Sequence, residues 1–105
     1  MAGVRAAGEA GEAVAGIVKN TERIPSLTGT ATFRIPDILN KTDKIIGEVK
    51  NYSGTVSLTE QIKDDVAYAR ANGYTMELHV SQSTQLSQPL RLLVNDGTIK
   101  LVPFP

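Results

Sequence analysis

The sequence predicts an α/β fold, a small mixed sheet flanked by helices. Three observations carry it. Apolar residues recur at helical spacing over 3–20 and 57–72. Short apolar or alternating runs at 32–39, 44–51, 74–80 and 98–102 read as strands. The second helical stretch stands between two of those runs, as a right-handed crossover between parallel strands does.

The chain has 105 residues, the length of one domain spanning 1–105. Hydrophobic residues make up 41% and charged residues 21%, ordinary values for a globular protein with a real core. There is no cysteine, which excludes disulfide frameworks, zinc–thiolate sites and thiol nucleophiles. Eleven Lys and Arg balance eleven Asp and Glu. That balance argues against a large basic groove, but leaves room for a local basic patch beside an acidic site. No apolar run is long enough to span a membrane, so no membrane anchor is expected. Glu9 and Glu12 interrupt the Ala/Gly-rich start, which does not read as a signal peptide.

In the first helix Val4, Ala7, Gly11, Val14 and Val18 form one stripe of small and apolar residues. Glu12 lies on its flank and Glu9 nearly opposite, so Glu12 is the carboxylate that could reach inward. Both can equally be solvated surface glutamates. Residues 21–31 read as a loop punctuated by Pro25 and Gly29. In the strand at 32–39, Phe33, Ile35 and Asp37 share a face, which puts Asp37 at the end of an apolar row. A carboxylate there needs a partner. Pro36 lacks an N–H and marks an edge, a bulge or the strand's end. Taken alone, Pro36-Asp37 is more simply a turn signal.

Asn40-Lys41-Thr42-Asp43 reads as the turn of an antiparallel hairpin into strand 44–51. There Ile46, Glu48 and Lys50 share one face, with Glu48 and Lys50 about 6.6 Å apart at about 3.3 Å per residue. Gly47 is small, as if another backbone comes close. Ser53-Gly54-Thr55 reads as a turn. Ser57 and Glu60 have capping-box spacing for the helix that follows. Leu58, Ile62, Val66 and Ala69 form its apolar stripe, and Gln61, Asp65, Tyr68 and Asn72 a polar stripe beside it. Asn72-Gly73 ends the helix. Tyr74, Met76, Leu78 and Val80 alternate with Thr75, Glu77 and His79. Nothing pairs with His79 by spacing, so it reads as a surface or supporting residue. Residues 81–88 read as a loop, Pro89 opens a short helix through Val94, and Asn95-Asp96-Gly97 turns into the last strand.

Asp37 and Glu48 would be two hard oxygen donors on adjacent strands with the Lys50 ammonium beside them, a set suited to Mg²⁺ or Mn²⁺. The run Pro36-Asp37 … Glu48-Val49-Lys50 resembles the PD-(D/E)xK nucleases, which have the restriction-endonuclease-like core. Gly11-Glu12, Arg34-Ile35-Pro36-Asp37, Gly47-Glu48-Val49-Lys50-Asn51 and Leu58-Thr59-Glu60-Gln61-Ile62 extend the likeness to the restriction-endonuclease-fold toxin domains of bacterial polymorphic toxins. The resemblance implies a Mg²⁺-dependent endonuclease that hydrolyses phosphodiester bonds, with DNA the preferred substrate over RNA. It implies that Asp37, Glu48 and the Val49 carbonyl hold the metal, with Mn²⁺ an alternative to Mg²⁺, and that Lys50 positions or activates water. Glu12 completes the carboxylate cluster and Gln61 supports Lys50. It further implies a secreted or delivered toxin that acts in the target-cell cytoplasm and has a cognate immunity protein. That partner would cover a basic rim made of Lys50 with some of Arg34, Lys63, Arg70 and Arg91. Other readings remain open: a Holliday-junction-resolvase-like or repair nuclease on the same fold, or a catalytically silent module that binds a protein.

Overall fold

The structure is a computed structural model that describes residues 19–51 and 53–104. The helix expected before residue 19, with Glu9 and Glu12, lies outside the described residues. In chain order the elements are β1 (Ile24–Pro25), β2 (Phe33–Arg34), β3 (Ile38–Asn40), β4 (Ile45–Lys50), β5 (Gly54–Val56), α1 (Glu60–Asn72), β6 (Thr75–Val80), β7 (Thr84–Leu86), α2 (Gln88–Asn95) and β8 (Ile99–Pro103).

The main sheet has four strands in the order β3-β4-β6-β8. β3 and β4 form the antiparallel hairpin read from the sequence, with Leu39 opposite Ile46. β4 and β6 run parallel, with Glu48 opposite Leu78 and Lys50 opposite Val80. β6 and β8 are also parallel. The sheet is therefore mixed, and α1 is the crossover between its two central strands.

Register decides what each face holds. Ile46, Met76, Leu78, Val80 and Ile99 line one face and are buried. Ile62, Val66 and Ala69 of α1 join them in the core, as the helical stripe predicts. Leu90 of α2 completes the apolar cluster and is fully buried. Gly47 on the opposite face explains how closely β4 and β6 pack. A Cβ there would collide with the Glu77 backbone carbonyl and press on the Ile38 Cδ1 methyl.

Five local expectations are corrected. The stretch 32–39 is not one strand: β2 pairs antiparallel with β1 in a separate hairpin, and Ile35-Pro36-Asp37 is a connector between β2 and β3. Phe33 and Ile35 are exposed, so Asp37 does not end an apolar row. The loop 21–31 contributes β1, whose Ile24 reaches the core. The turn at 53–55 and the loop at 81–88 instead supply β5 and β7, which pair parallel in a two-stranded sheet. The cap of α1 is Thr59, whose side chain accepts from the Ile62 N–H, so the helix begins later than the Ser57 capping box would have it. Gly73 closes the helix in the left-handed region at φ 72°, as expected.

Because the atom in the way of a Cβ at Gly47 belongs to backbone, a side chain cannot rotate aside. Gly47→Ala is expected to destabilise the protein by about 1–3 kcal/mol, the usual range for overpacking. Urea denaturation checks it; a variant as stable as the parent would show that the strands can part there freely.

Candidate active site

The carboxylates meet where α1 crosses the end of β4. Glu48 sits on the buried face of β4 with only 4% of its surface exposed. Gln61, in the first turn of α1, donates from Nε2 to Glu48 Oε2 at 3.0 Å. One helical turn further on, Asp65 is fully buried and lies within hydrogen-bonding reach of Glu48. The spacing of four residues that put Gln61 and Asp65 in one polar stripe is what aims both at Glu48. Among the described residues no N–H or hydroxyl donates to either Asp65 oxygen.

Two carboxylates at hydrogen-bonding distance cannot both be ionised without a cation between them. Burial pushes the Glu48 carboxyl far above the ordinary range, and the neighbouring Asp65 and Asp37 add to the shift. The Gln61 hydrogen bond opposes it but does not win. Burial also raises Asp65, helped by repulsion from Asp37 and Asp64. Near neutral pH the metal-free pair therefore shares a proton.

Asp37 belongs to the connector before β3. Its Oδ2 accepts the Val49 N–H at 2.9 Å, which fixes the carboxylate beside the last residues of β4. Asn20 holds that connector from the other side: its backbone N–H donates to the Asp37 carbonyl at 2.9 Å and its Nδ2 to the Pro36 carbonyl at 3.0 Å. Lys50 ends β4, half-buried on the same face as Glu48 by alternation. Among the described residues it forms no ion pair with a carboxylate. The structure thus gathers Asp37, Glu48, Val49, Lys50 and Gln61 at one end of β4, with Gln61 entering through Glu48. Glu12 lies outside the described residues.

Two further residues shape the site. Asp65 stood in the polar stripe of the sequence but carried no chemical signal of its own. Asn20 had none, because a clamp on distant backbone carbonyls leaves no pattern in a sequence. Among the described residues no three Asp, Glu or His side chains converge as a complete metal cage. The converging pair is Glu48 and Asp65, with Asp37 close enough to raise both.

The neighbour of Asp65 on α1 has the opposite environment. Asp64 is equally buried, but accepts from Arg34 Nε at 2.8 Å, Ser26 Oγ at 2.8 Å and the Thr28 N–H at 2.9 Å. Burial works to raise its carboxyl, yet the hydrogen bonds from Arg34, Thr28 and Ser26 outweigh it and hold the group well below the usual range. This corrects the expected basic rim, since the Arg34 guanidinium is spent on an internal ion pair. Lys63 pairs with Glu60 at 3.2 Å, Arg70 reaches Thr98 at 3.4 Å, and Arg91 reaches Gln88 at 2.9 Å. His79 is buried rather than on the surface and meets Glu77 Oε1 at 2.8 Å, on the sheet face away from α1.

A family model described as restriction endonuclease fold toxin 7 matches residues 6–90. That span runs from before the described residues into α2 and includes every residue gathered at the end of β4. No curated protein and no solved structure matches the chain. Among the described residues no helix is long and apolar enough to cross a membrane.

The shared proton sets a pH dependence. Unfolded, both carboxyls titrate near pH 4. Folded, both hold protons to higher pH, so above about pH 4 the folded state binds more protons than the unfolded state. Their contribution is fully present below that range and is lost as pH rises through the raised values. Asp64 works in reverse, losing its contribution only as pH falls below about 4, so the windows do not overlap. Urea denaturation of the chelator-treated protein is expected to show stability falling by about 1–3 kcal/mol between pH 5 and pH 8. Glu48→Gln should flatten that slope; a flat profile in the parent would mean that the pair shares no proton.

Proposed function

The chain belongs to the restriction endonuclease fold toxin 7 family, and from that premise we propose that it is a metal-dependent nuclease. It would hydrolyse phosphodiester bonds, with DNA the favoured substrate, as a delivered antibacterial toxin domain. The observation that carries the reading is the carboxylate pair buried at the end of β4, two residues from a lysine that forms no ion pair among the described residues. A fold gains nothing in stability from that arrangement, because an unsatisfied buried acid costs several kcal/mol. The donor set fits a hard divalent cation: acidic oxygens with an excess of negative charge, and no sulfur.

Glu48 and Asp37 would hold Mg²⁺ or Mn²⁺, with the Val49 carbonyl as a further oxygen donor. When bound, the ion supplies positive charge at the scissile phosphate and lowers the pKa of a water molecule. The chain's own groups do the rest. Gln61 fixes one oxygen of Glu48, leaving the other for ligation. The Val49 N–H holds one oxygen of Asp37 in the same way. Lys50 places a fixed ammonium where negative charge develops on the phosphate, and can hold the attacking water by hydrogen bonds. Burial under α1 keeps bulk water from screening these charges. The supporting role of Gln61 therefore runs through Glu48.

Such an activity endangers the cell that makes it, so the natural partner is a cognate immunity protein. An acidic protein lying over Lys50 would block the phosphate and associate faster at low salt. Salt-insensitive association with such a protein would reject charge steering as its mode of recognition.

Glu48→Gln and Lys50→Ala are each expected to lower cleavage by at least about a hundredfold with the circular dichroism spectrum unchanged. Plasmid DNA, total RNA and tRNA incubated with and without Mg²⁺ provide the assay. Full cleavage by either variant, or cleavage unaffected by a chelator, would refute the reading.

A further inference from the structure

The geometry points to Asp65 as a ligand of the metal, in partnership with Glu48, so that we propose a cation site made jointly by helix α1 and strand β4. This rests on the reading of the site as metal-dependent, and assigns it a residue outside the Asp37–Glu48–Lys50–Gln61 set.

Four observations lead there. Asp65 is fully buried, and among the described residues no N–H or hydroxyl donates to its carboxylate, whose one polar neighbour in reach is another acid, Glu48. A buried carboxylate with no such donor is rare in folded proteins. Second, it faces the Glu48 carboxylate, whose own Oε2 is already oriented by Gln61. Third, Asp64 shows what the same helix does with a structural acid. It has the same burial one residue earlier and takes hydrogen bonds from Arg34, Ser26 and Thr28. Among the described residues no such set surrounds Asp65. Fourth, the Val49 N–H already takes up part of one Asp37 oxygen, whereas no N–H or hydroxyl among the described residues competes for Asp65.

A small hard cation is satisfied by this set. Mg²⁺ is bound through one or two carboxylates and keeps several waters, so Glu48 and Asp65 can be its side-chain anchors without a complete protein cage. The placement has a mechanical consequence. Asp65 sits on the crossover helix and Glu48 on the strand beneath it, so a shared ion ties α1 to β4.

The test is metal binding measured apart from cleavage. The full chain is titrated with Mg²⁺ and with Mn²⁺ by isothermal titration calorimetry, and its melting temperature is followed with and without each ion. Asp65→Asn, Glu48→Gln and Lys100→Ala are compared with the parent, Lys100 being an exposed control on β8. The expected result is at least tenfold weaker binding and a lost melting-temperature rise in both Asp65→Asn and Glu48→Gln, with Lys100→Ala unchanged. The metal-free melting temperature of Asp65→Asn should equal or exceed that of the parent, since a repelling charge has been removed. Asp65→Ser is run beside it in case the amide does not fit. Parent-like affinity in a folded Asp65 variant, with Glu48→Gln impaired, would overturn the role of Asp65 and leave the metal-dependent reading standing. No binding by the parent would overturn both.

Discussion

The packing of α1 across β4 and β6 is the constraint on which the rest of the structure depends. Parallel strands cannot be joined by a tight turn, so a crossover is obligatory between them. Here the crossover is a helix whose one stripe, Ile62, Val66 and Ala69, fills the core against Ile46, Met76 and Leu78. Each such side chain, fully buried, contributes about 1.5–3 kcal/mol. That contribution is what lets the adjoining stripe carry Gln61 and Asp65 down onto Glu48. Two acids would not stay out of water without an apolar contact beside them holding helix and strand together. The site is thus a by-product of register: turning α1 by one residue so that Ile62 took the place of Gln61 would carry Lys63 and Arg70 into the core.

The adjacent acids of α1 separate structural from chemical use of charge. Asp64 ties the β1–β2 hairpin to the helix. Its bonds to Ser26, Thr28 and Arg34 draw a segment with little core of its own onto the domain. Removing either side of that pair would leave an uncompensated buried charge, costly by about 3–5 kcal/mol. The polar groups around Asp64 are numerous because the fold needs them there. Around Asp65 and Glu48 the one N–H donor among the described residues is the Gln61 amide. Identical residue types at equal depth therefore have opposite electrostatics, and only the non-local partners tell them apart.

That difference explains what the sequence could disclose. The long elements were legible, since β4, α1, β6, α2 and β8 have strong periodic patterns and clear ends at Thr42-Asp43, Gly73 and Gly97. So was the close approach at Gly47. The two-residue strands β1 and β2 were not, because no period can be read from two residues. The pairing of β5 with β7 lies between segments about thirty residues apart, each rich in turn-forming residues. At the site, strand alternation brought Glu48 and Lys50 to one face, and motif resemblance added Asp37 and Gln61. Asn20 and the Arg34–Asp64 pair escaped because their partners are distant in the chain and their residue types are ordinary.

The same pairing bears on how a nucleic acid would be met. A neutral chain attracts a polyanion only through local charge. Arg34 faces inward to Asp64, and its guanidinium cannot turn outward without leaving that buried carboxylate with hydrogen bonds but no counter-charge. Lys63 is engaged only with exposed Glu60, a surface pair worth little and readily exchanged for a phosphate. The long-range field is therefore weak, and the positive charge that matters is close to the chemistry, at Lys50 and at any cation held by Glu48. Binding would then be strongest for a substrate that already places its phosphate at the end of β4. Affinity and catalysis draw on the same few groups, so a protein that covers Lys50 removes both at once.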